Sequence, residues 1–131
     1  MKNFILEARQ DNFSSPTIRF NLEKGIFEME GESFLENTFE FYAPVFDWLI
    51  EWKQKWQGTA VFNFKFTYFN SSSSKALLQI MAYIRDYAER GEPVTINWFY
   101  PDDNPDLLQE GEDFMETLNI PMTFIPFEVE Y

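Results

Sequence analysis

Between Ala60 and Ala88 the apolar period of the chain changes once, and four serines mark the change. In "TAVFNFKFTYF", residues 59–69, Ala60, Phe62, Phe64, Phe66 and Tyr68 alternate with Asn63, Lys65 and Thr67. That is the period of two that a strand with one buried face requires. In "KALLQIMAYIRDYA", residues 75–88, Leu77, Ile80, Met81, Ile84 and Ala88 recur at helical spacing. The chain must therefore turn from strand to helix within "YFNSSSSK", Tyr68–Lys75. A strand face of this kind, followed directly by an amphipathic helix, points to helices layered on a sheet.

The remaining periods extend this pattern. "TIRFNLEKGIFEMEGES", residues 17–33, reads as a β-hairpin with a tight turn at Lys24-Gly25. Ile18, Phe20 and Leu22, then Phe27 and Met29, form its apolar face. In "SFLENTFEFYAPVFDWLIEWKQKW", residues 33–56, Phe41, Val45, Trp48, Leu49, Trp52 and Trp56 keep helical spacing. Pro44 suits a first turn, so the regular helix is expected from about Ala43 to Trp56, with room for a helical turn before it, and Gly58 ends it. Tyr42, Phe46 and Ile50 give it a second apolar side, suited to core or partner. "PVTINWFY" reads as a strand and "PDDNPDLLQEGEDFMETLN" as an acidic helix with Gly111 in its middle. "MTFIPFEVE" reads as a strand that Pro126 assigns to an edge. The expected class is α/β: a mixed β-sheet with helices mainly on one face, an N-terminal β-hairpin followed by α-β-α-β-α-β. One domain over residues 1–131 suits the length.

Composition narrows the chemistry. Aromatic residues make up 20% of the chain, including 16 Phe and 4 Trp, too apolar for a disordered segment. With 22 acids against 10 bases the net charge is −12, which repels a phosphate backbone and argues against nucleic acid as a direct partner. Cys and His are both absent. That excludes thiol nucleophiles, disulfides, Cys/His zinc sites and imidazole bases. No cofactor is expected. "MKNFILEARQDNF" lacks a signal-type apolar segment and no apolar run is long enough to span a bilayer, so a cytoplasmic protein without membrane insertion is expected.

Acidic clusters have plain readings. Asp102, Asp103 and Asp106 follow a strand and could hold Mg²⁺, but Asn104-Pro105 reads more simply as a helix start. Glu110/Asp113 and Glu112/Glu116 could be written as acid/base pairs, yet they belong to a solvated helix face. Ser33 and Glu36 stand at capping-box spacing.

The serines admit two readings. Asn70 or Ser71 is a good helix N-cap. A hydroxyl at a helix start is also a suitable place to add a phosphate, since first-turn N–H groups and the helix dipole favour an anion there. Lys75 lies one turn further on.

Three segments carry a family resemblance: "GESFLENTFEFYAPVFDWL" (31–49), "YFNSSSSKALLQIM" (68–81) and "GEPVTINWFY" (91–100). From about Thr17 to Phe127 the chain resembles the SiaC-type regulatory phosphoproteins of bacterial biofilm signalling, whose fold is STAS-like. The resemblance implies phosphorylation at the hydroxyl residue directly after the motif Asn, which is Ser71 here, a place where relatives carry Thr. Ser72 and Ser73 stand open as further acceptors. It also implies that Glu36 and Asn37, with Asn70, Ser72 and Lys75, belong to the partner-binding surface. The implied function is non-enzymatic partner switching. A Ser/Thr kinase modifies the protein and a PP2C-type phosphatase reverses it. The unmodified form binds and stimulates a diguanylate cyclase, and phosphorylation at Ser71 blocks this. The alternatives are an anti-anti-sigma-type STAS regulator and, from another class, a small-ligand-binding or carboxylate enzyme domain.

Overall fold

Eight strands and three helices follow one another in a computed structural model that describes residues 1–130. The strands are β1 (Phe4–Leu6), β2 (Arg9–Gln10), β3 (Ser14–Ser15), β4 (Thr17–Asn21), β5 (Ile26–Ser33), β6 (Ala60–Phe69), β7 (Val94–Pro101) and β8 (Thr123–Phe127). The helices are α1 (Thr38–Lys55), α2 (Ser71–Ala88) and α3 (Pro105–Leu118). Six strands form one mixed sheet in the order β1-β4-β5-β6-β7-β8. β1, β4 and β5 are antiparallel, and β5 through β8 are parallel. The hairpin and the α-β-α-β-α-β order expected from the sequence are both present, and Pro126 lies on an edge strand.

All three helices pack on one side of this sheet. Phe20, Phe27, Phe62, Phe64 and Trp98 point into a single core with Leu49, Trp52, Ile80, Met81 and Phe114. The opposite face keeps Arg19, Glu28, Lys65 and Thr95 exposed, the outcome expected of strands with one wet face. The tryptophan stripe of α1 closes on one residue: Phe27 contacts Trp48, Trp52 and Trp56 at 5.9, 5.5 and 6.1 Å between ring centres. Only Trp52 of the three is fully buried.

Several expectations are corrected. Helix α1 is continuous from Thr38 and carries Pro44 inside it. The proline removes an N–H that Glu40 would have received, but both residues are exposed and water can take the freed carbonyl. The capping box is not Ser33–Glu36. Ser33 ends β5 and is buried, and Asn37 caps α1, accepting from the Glu40 N–H at 3.3 Å. Tyr68 leaves the core face of β6. Gly31 pairs with Phe66 and Glu32 with Tyr68, so Thr67 is the extra residue of a bulge. This one-residue slip turns Tyr68 outward, 50% exposed, and Phe69 inward. Two N-terminal features gave no usable period: β1, which pairs with β4, and the two-stranded β2–β3 ribbon.

Gly111 is a packing requirement rather than a weak point. A Cβ there would lie 2.5 Å from the Trp98 ring, so α3 can cross β7 this closely only with glycine. Trp98 Nε1 donates to the Leu107 carbonyl at 2.9 Å and fixes the crossing.

Candidate functional site

The bulge at Thr67 decides how β6 ends. It delivers Phe69 to the core, where it packs edge-on to Trp98, and leaves Asn70 as the first residue beyond the strand. Asn70 is extended and caps α2: its Oδ1 accepts from the Ser73 N–H at 3.0 Å. Its carbonyl accepts from the Ser74 N–H at 2.9 Å. The N–H groups of Ser71 and Ser72, in the first turn of an 18-residue helix, therefore face outward without a helical partner.

The four serines then have four different environments. Ser73 is fully buried. Its Oγ accepts from Ser33 Oγ at 2.7 Å and donates to the Ser33 carbonyl at 2.8 Å. Because the Ser33 hydroxyl is spent on Ser73, it accepts from the Tyr42 hydroxyl, 2.7 Å away. The same Ser33 carbonyl accepts the Asn70 N–H at 3.1 Å. Burial raises the Tyr42 phenol well above its ordinary value, and the Ser33 hydrogen bond offsets only part of that rise. Tyr42 is thus a permanent donor, and the end of β5, helix α1 and the start of α2 are locked together by hydroxyls.

Ser72 is exposed but engaged. Its hydroxyl donates to Asn70 Oδ1 at 3.2 Å and accepts from Thr38 Oγ1 at 2.7 Å. The starts of α1 and α2 are thereby side by side. Ser74 is half-buried. Ser71 is exposed, and among the described residues its hydroxyl has no hydrogen-bond partner. Of the three hydroxyls left open from the sequence, Ser73 is the one that the fold buries. Ser71 is the one serine of the run that is exposed and has no hydroxyl hydrogen bond among the described residues.

Asn70, Ser71 and Lys75 line one open depression together with Tyr68, Phe69 and Ser74 and with Glu110 of α3. Burial raises the Glu110 carboxyl above its ordinary value, with Asp113 and then Asp106 adding to the rise. Asn37 is drawn close to the serines through its neighbour Thr38, whereas Glu36 is exposed with no bond to the serine run among the described residues. Sequence reasoning missed Thr38, Tyr42 and the inward role of Ser33. Their partners lie 34, 9 and 40 residues away, so no local spacing could reveal them.

An aromatic strip borders the depression. Phe13 contacts Phe34 at 5.9 Å and Phe34 contacts Tyr68 at 6.3 Å, and all three rings are exposed. The ribbon supplies Phe13 and is pinned there by paired backbone bonds between Ser14 and Phe34 at 2.9 and 2.8 Å. Exposed aromatics gathered beside one surface mark a contact face more often than scattered ones do.

Residues 8–127 match the model of the SiaC family regulatory phosphoprotein. An uncharacterized protein of Pseudomonas aeruginosa strain UCBPP-PA14 is 29% identical over 108 residues, covering 82% of this chain and 86% of that protein. The fold is similar to SiaC of Pseudomonas aeruginosa, with a TM-score of 0.85 at 25% identity, over 97% of this chain and 100% of that one. It is similar also to a chain in the crystal structure of the diguanylate cyclase SiaD in complex with its activator SiaC from the same organism. There the TM-score is 0.82 at 25% identity, over 93% of this chain and 100% of that chain.

Proposed function

Because the chain belongs to the SiaC family of regulatory phosphoproteins, we propose that it is a non-enzymatic partner switch with Ser71 as its phosphoacceptor. The observation that carries this reading is the division of labour among the serines. Ser73 is locked to Ser33, Ser72 is held by Thr38 and Asn70, and Ser71 alone presents an exposed, unbonded hydroxyl at the helix start. A phosphate there meets the outward N–H groups of Ser71 and Ser72 and the favourable end of the helix dipole. It needs no rearrangement of the cap, because Asn70 rather than Ser71 performs that role.

In this reading the unmodified protein docks on a diguanylate cyclase and stimulates it. The relative SiaC is the activator of such an enzyme, SiaD, in a solved complex. The docking face is the Ser71 surface with Asn37, Asn70, Ser72 and Lys75, Glu36 at its margin, and the Phe13–Phe34–Tyr68 strip for apolar area. A Ser/Thr kinase closes the switch and a PP2C-type phosphatase reopens it. Phosphorylation adds up to about two negative charges at the centre of the face. Burying that hydrated dianion without a matched cation is costly, so the partner is excluded while the fold stays the same. No helix among the described residues is long and apolar enough to cross a membrane. The switch acts in the cytoplasm as one domain. The test is a pull-down from the native cell extract with wild type, Ser71→Ala and Ser71→Asp, read by mass spectrometry. Wild type and Ser71→Ala should capture a diguanylate cyclase and Ser71→Asp should capture less. Recovery of an anti-sigma kinase instead would favour the anti-anti-sigma reading.

A further inference from the structure

Burial alone does not separate the first two serines of α2. Ser73 is fully buried and Ser74 half-buried, but Ser71 and Ser72 are adjacent and both exposed. What separates them is their bonding. A hydroxyl that attacks a phosphoryl group must give up its proton and aim a lone pair at phosphorus. In Ser72 both are engaged. Its proton is donated to Asn70 Oδ1 at 3.2 Å, and a lone pair accepts the Thr38 hydroxyl at 2.7 Å. The Ser71 hydroxyl has neither kind of bond among the described residues. Thr38 is 7% exposed and begins α1, so this contact reaches Ser72 from a second helix. Its place is fixed one turn along α1, where Tyr42 bonds Ser33 and Ser33 bonds Ser73. Thr38 and Tyr42 share one helix face. Successive turns of α1 therefore secure Ser72 directly and Ser73 through Ser33.

We propose that Thr38 determines the site of phosphorylation: its hydroxyl withholds Ser72 from the kinase and confines transfer to Ser71. This rests on Ser71 as the phosphoacceptor and adds the residue that enforces the choice. Thr38 acts through Ser72 and is a positioning residue. In the transfer, Ser71 Oγ bonds the γ-phosphorus of ATP and the bond from that phosphorus to the bridging oxygen breaks. ADP leaves, and the hydroxyl proton passes to the base of the kinase. The same step at Ser72 first requires the Thr38 bond to open. That opening leaves the buried Thr38 hydroxyl without its only hydrogen bond among the described residues. The handicap is about fivefold in rate, the equivalent of about 1 kcal/mol for one hydroxyl bond.

The experiment incubates the full chain with ATP in native cell extract and maps the phosphate by fragmentation mass spectrometry. Wild type should carry it on Ser71. Thr38→Val keeps the side-chain shape and removes the hydroxyl, so the ratio of Ser72 to Ser71 phosphate should rise about fivefold. Thr38→Ala also lacks the hydroxyl and should show the same rise. Thr38→Ser keeps the hydroxyl and should restore the wild-type ratio, which a loss of packing would not do. Ser71→Ala should lose nearly all phosphate, and Ser71→Ala/Thr38→Val should regain it on Ser72. Circular dichroism checks that each variant is folded. An unchanged ratio in Thr38→Val and Thr38→Ala, with Ser71 still modified, overturns the proposal and leaves the acceptor assignment standing. A Thr38→Ser ratio equal to that of Thr38→Val overturns it as well. Wild-type phosphate on Ser72, or outside the serine run, overturns both.

Discussion

Ser33 Oγ and Ser73 Oγ lie 2.7 Å apart although 40 residues separate them in the chain. This contact, fully buried and continued by Tyr42 at 2.7 Å, ties the end of β5 to the start of α2. It makes the serines separable by stability. Ser73→Ala strands the Ser33 hydroxyl and should cost about 1–3 kcal/mol. Asn70→Ala removes the cap and should cost about 0.5–2 kcal/mol. Ser71→Ala removes an exposed, unbonded hydroxyl and should stay within about 0.5 kcal/mol. Urea denaturation of the three variants checks the ranking. A Ser71→Ala loss equal to that of Ser73→Ala would contradict it.

Phe64 is 1% exposed and lies between Phe62 and Trp98 on the central strand β6. Phe64→Ala should cost about 3–5 kcal/mol, since the surrounding rings cannot collapse fully into the space. The denaturation midpoint should fall far below that of Ser71→Ala with the same m-value.

Gly111→Ala is the reverse case, a gain of one methyl. Helix propensity alone favours it by up to about 1 kcal/mol. The new Cβ, 2.5 Å from the Trp98 ring, must displace a buried indole. Overpacking of that kind costs about 1–3 kcal/mol, so the variant should be less stable on balance. A rise in thermal midpoint would show that α3 is not seated against Trp98.

The Tyr42 phenol is raised by burial, and this fixes a sign. The folded state prefers the neutral phenol, so its contribution is fully present below the unfolded phenol pKa of about 10 and is lost as pH rises beyond it. Tyr87, also raised by burial and by Glu92, acts in the same direction. Stability should therefore decline above pH about 10. Tyr42→Phe should be less stable at neutral pH, because Ser33 loses its donor, and should show a shallower alkaline decline. An unchanged alkaline slope would place the titration elsewhere.

The period switch between residues 60 and 88 made the sheet-and-helix layering legible, and the alternation of β4, β5 and β7 gave the hairpin and the parallel strands. What stayed hidden has definite causes. Tyr68 continues the alternation of Phe62, Phe64 and Phe66, and only the pairing with β5 reveals the bulge that reverses it. Pro44 reads as a helix start, and only its exposure explains why α1 tolerates it inside. Within the site, Ser71 was nameable from a local motif and its resemblance. The reason Ser73 differs from it was not, because Ser33 and Tyr42 reach it across the fold.

The most direct test of the switch is calorimetry with the purified diguanylate cyclase, titrated with unmodified, Ser71→Asp and Ser71-phosphorylated protein. The carboxylate is smaller than a phosphate and carries one charge, so it should act only in part. Affinity should fall in the order unmodified, Asp-substituted, phosphorylated, with the same circular dichroism for all three. Equal affinities, or tightest binding by the phosphorylated form, would contradict the account.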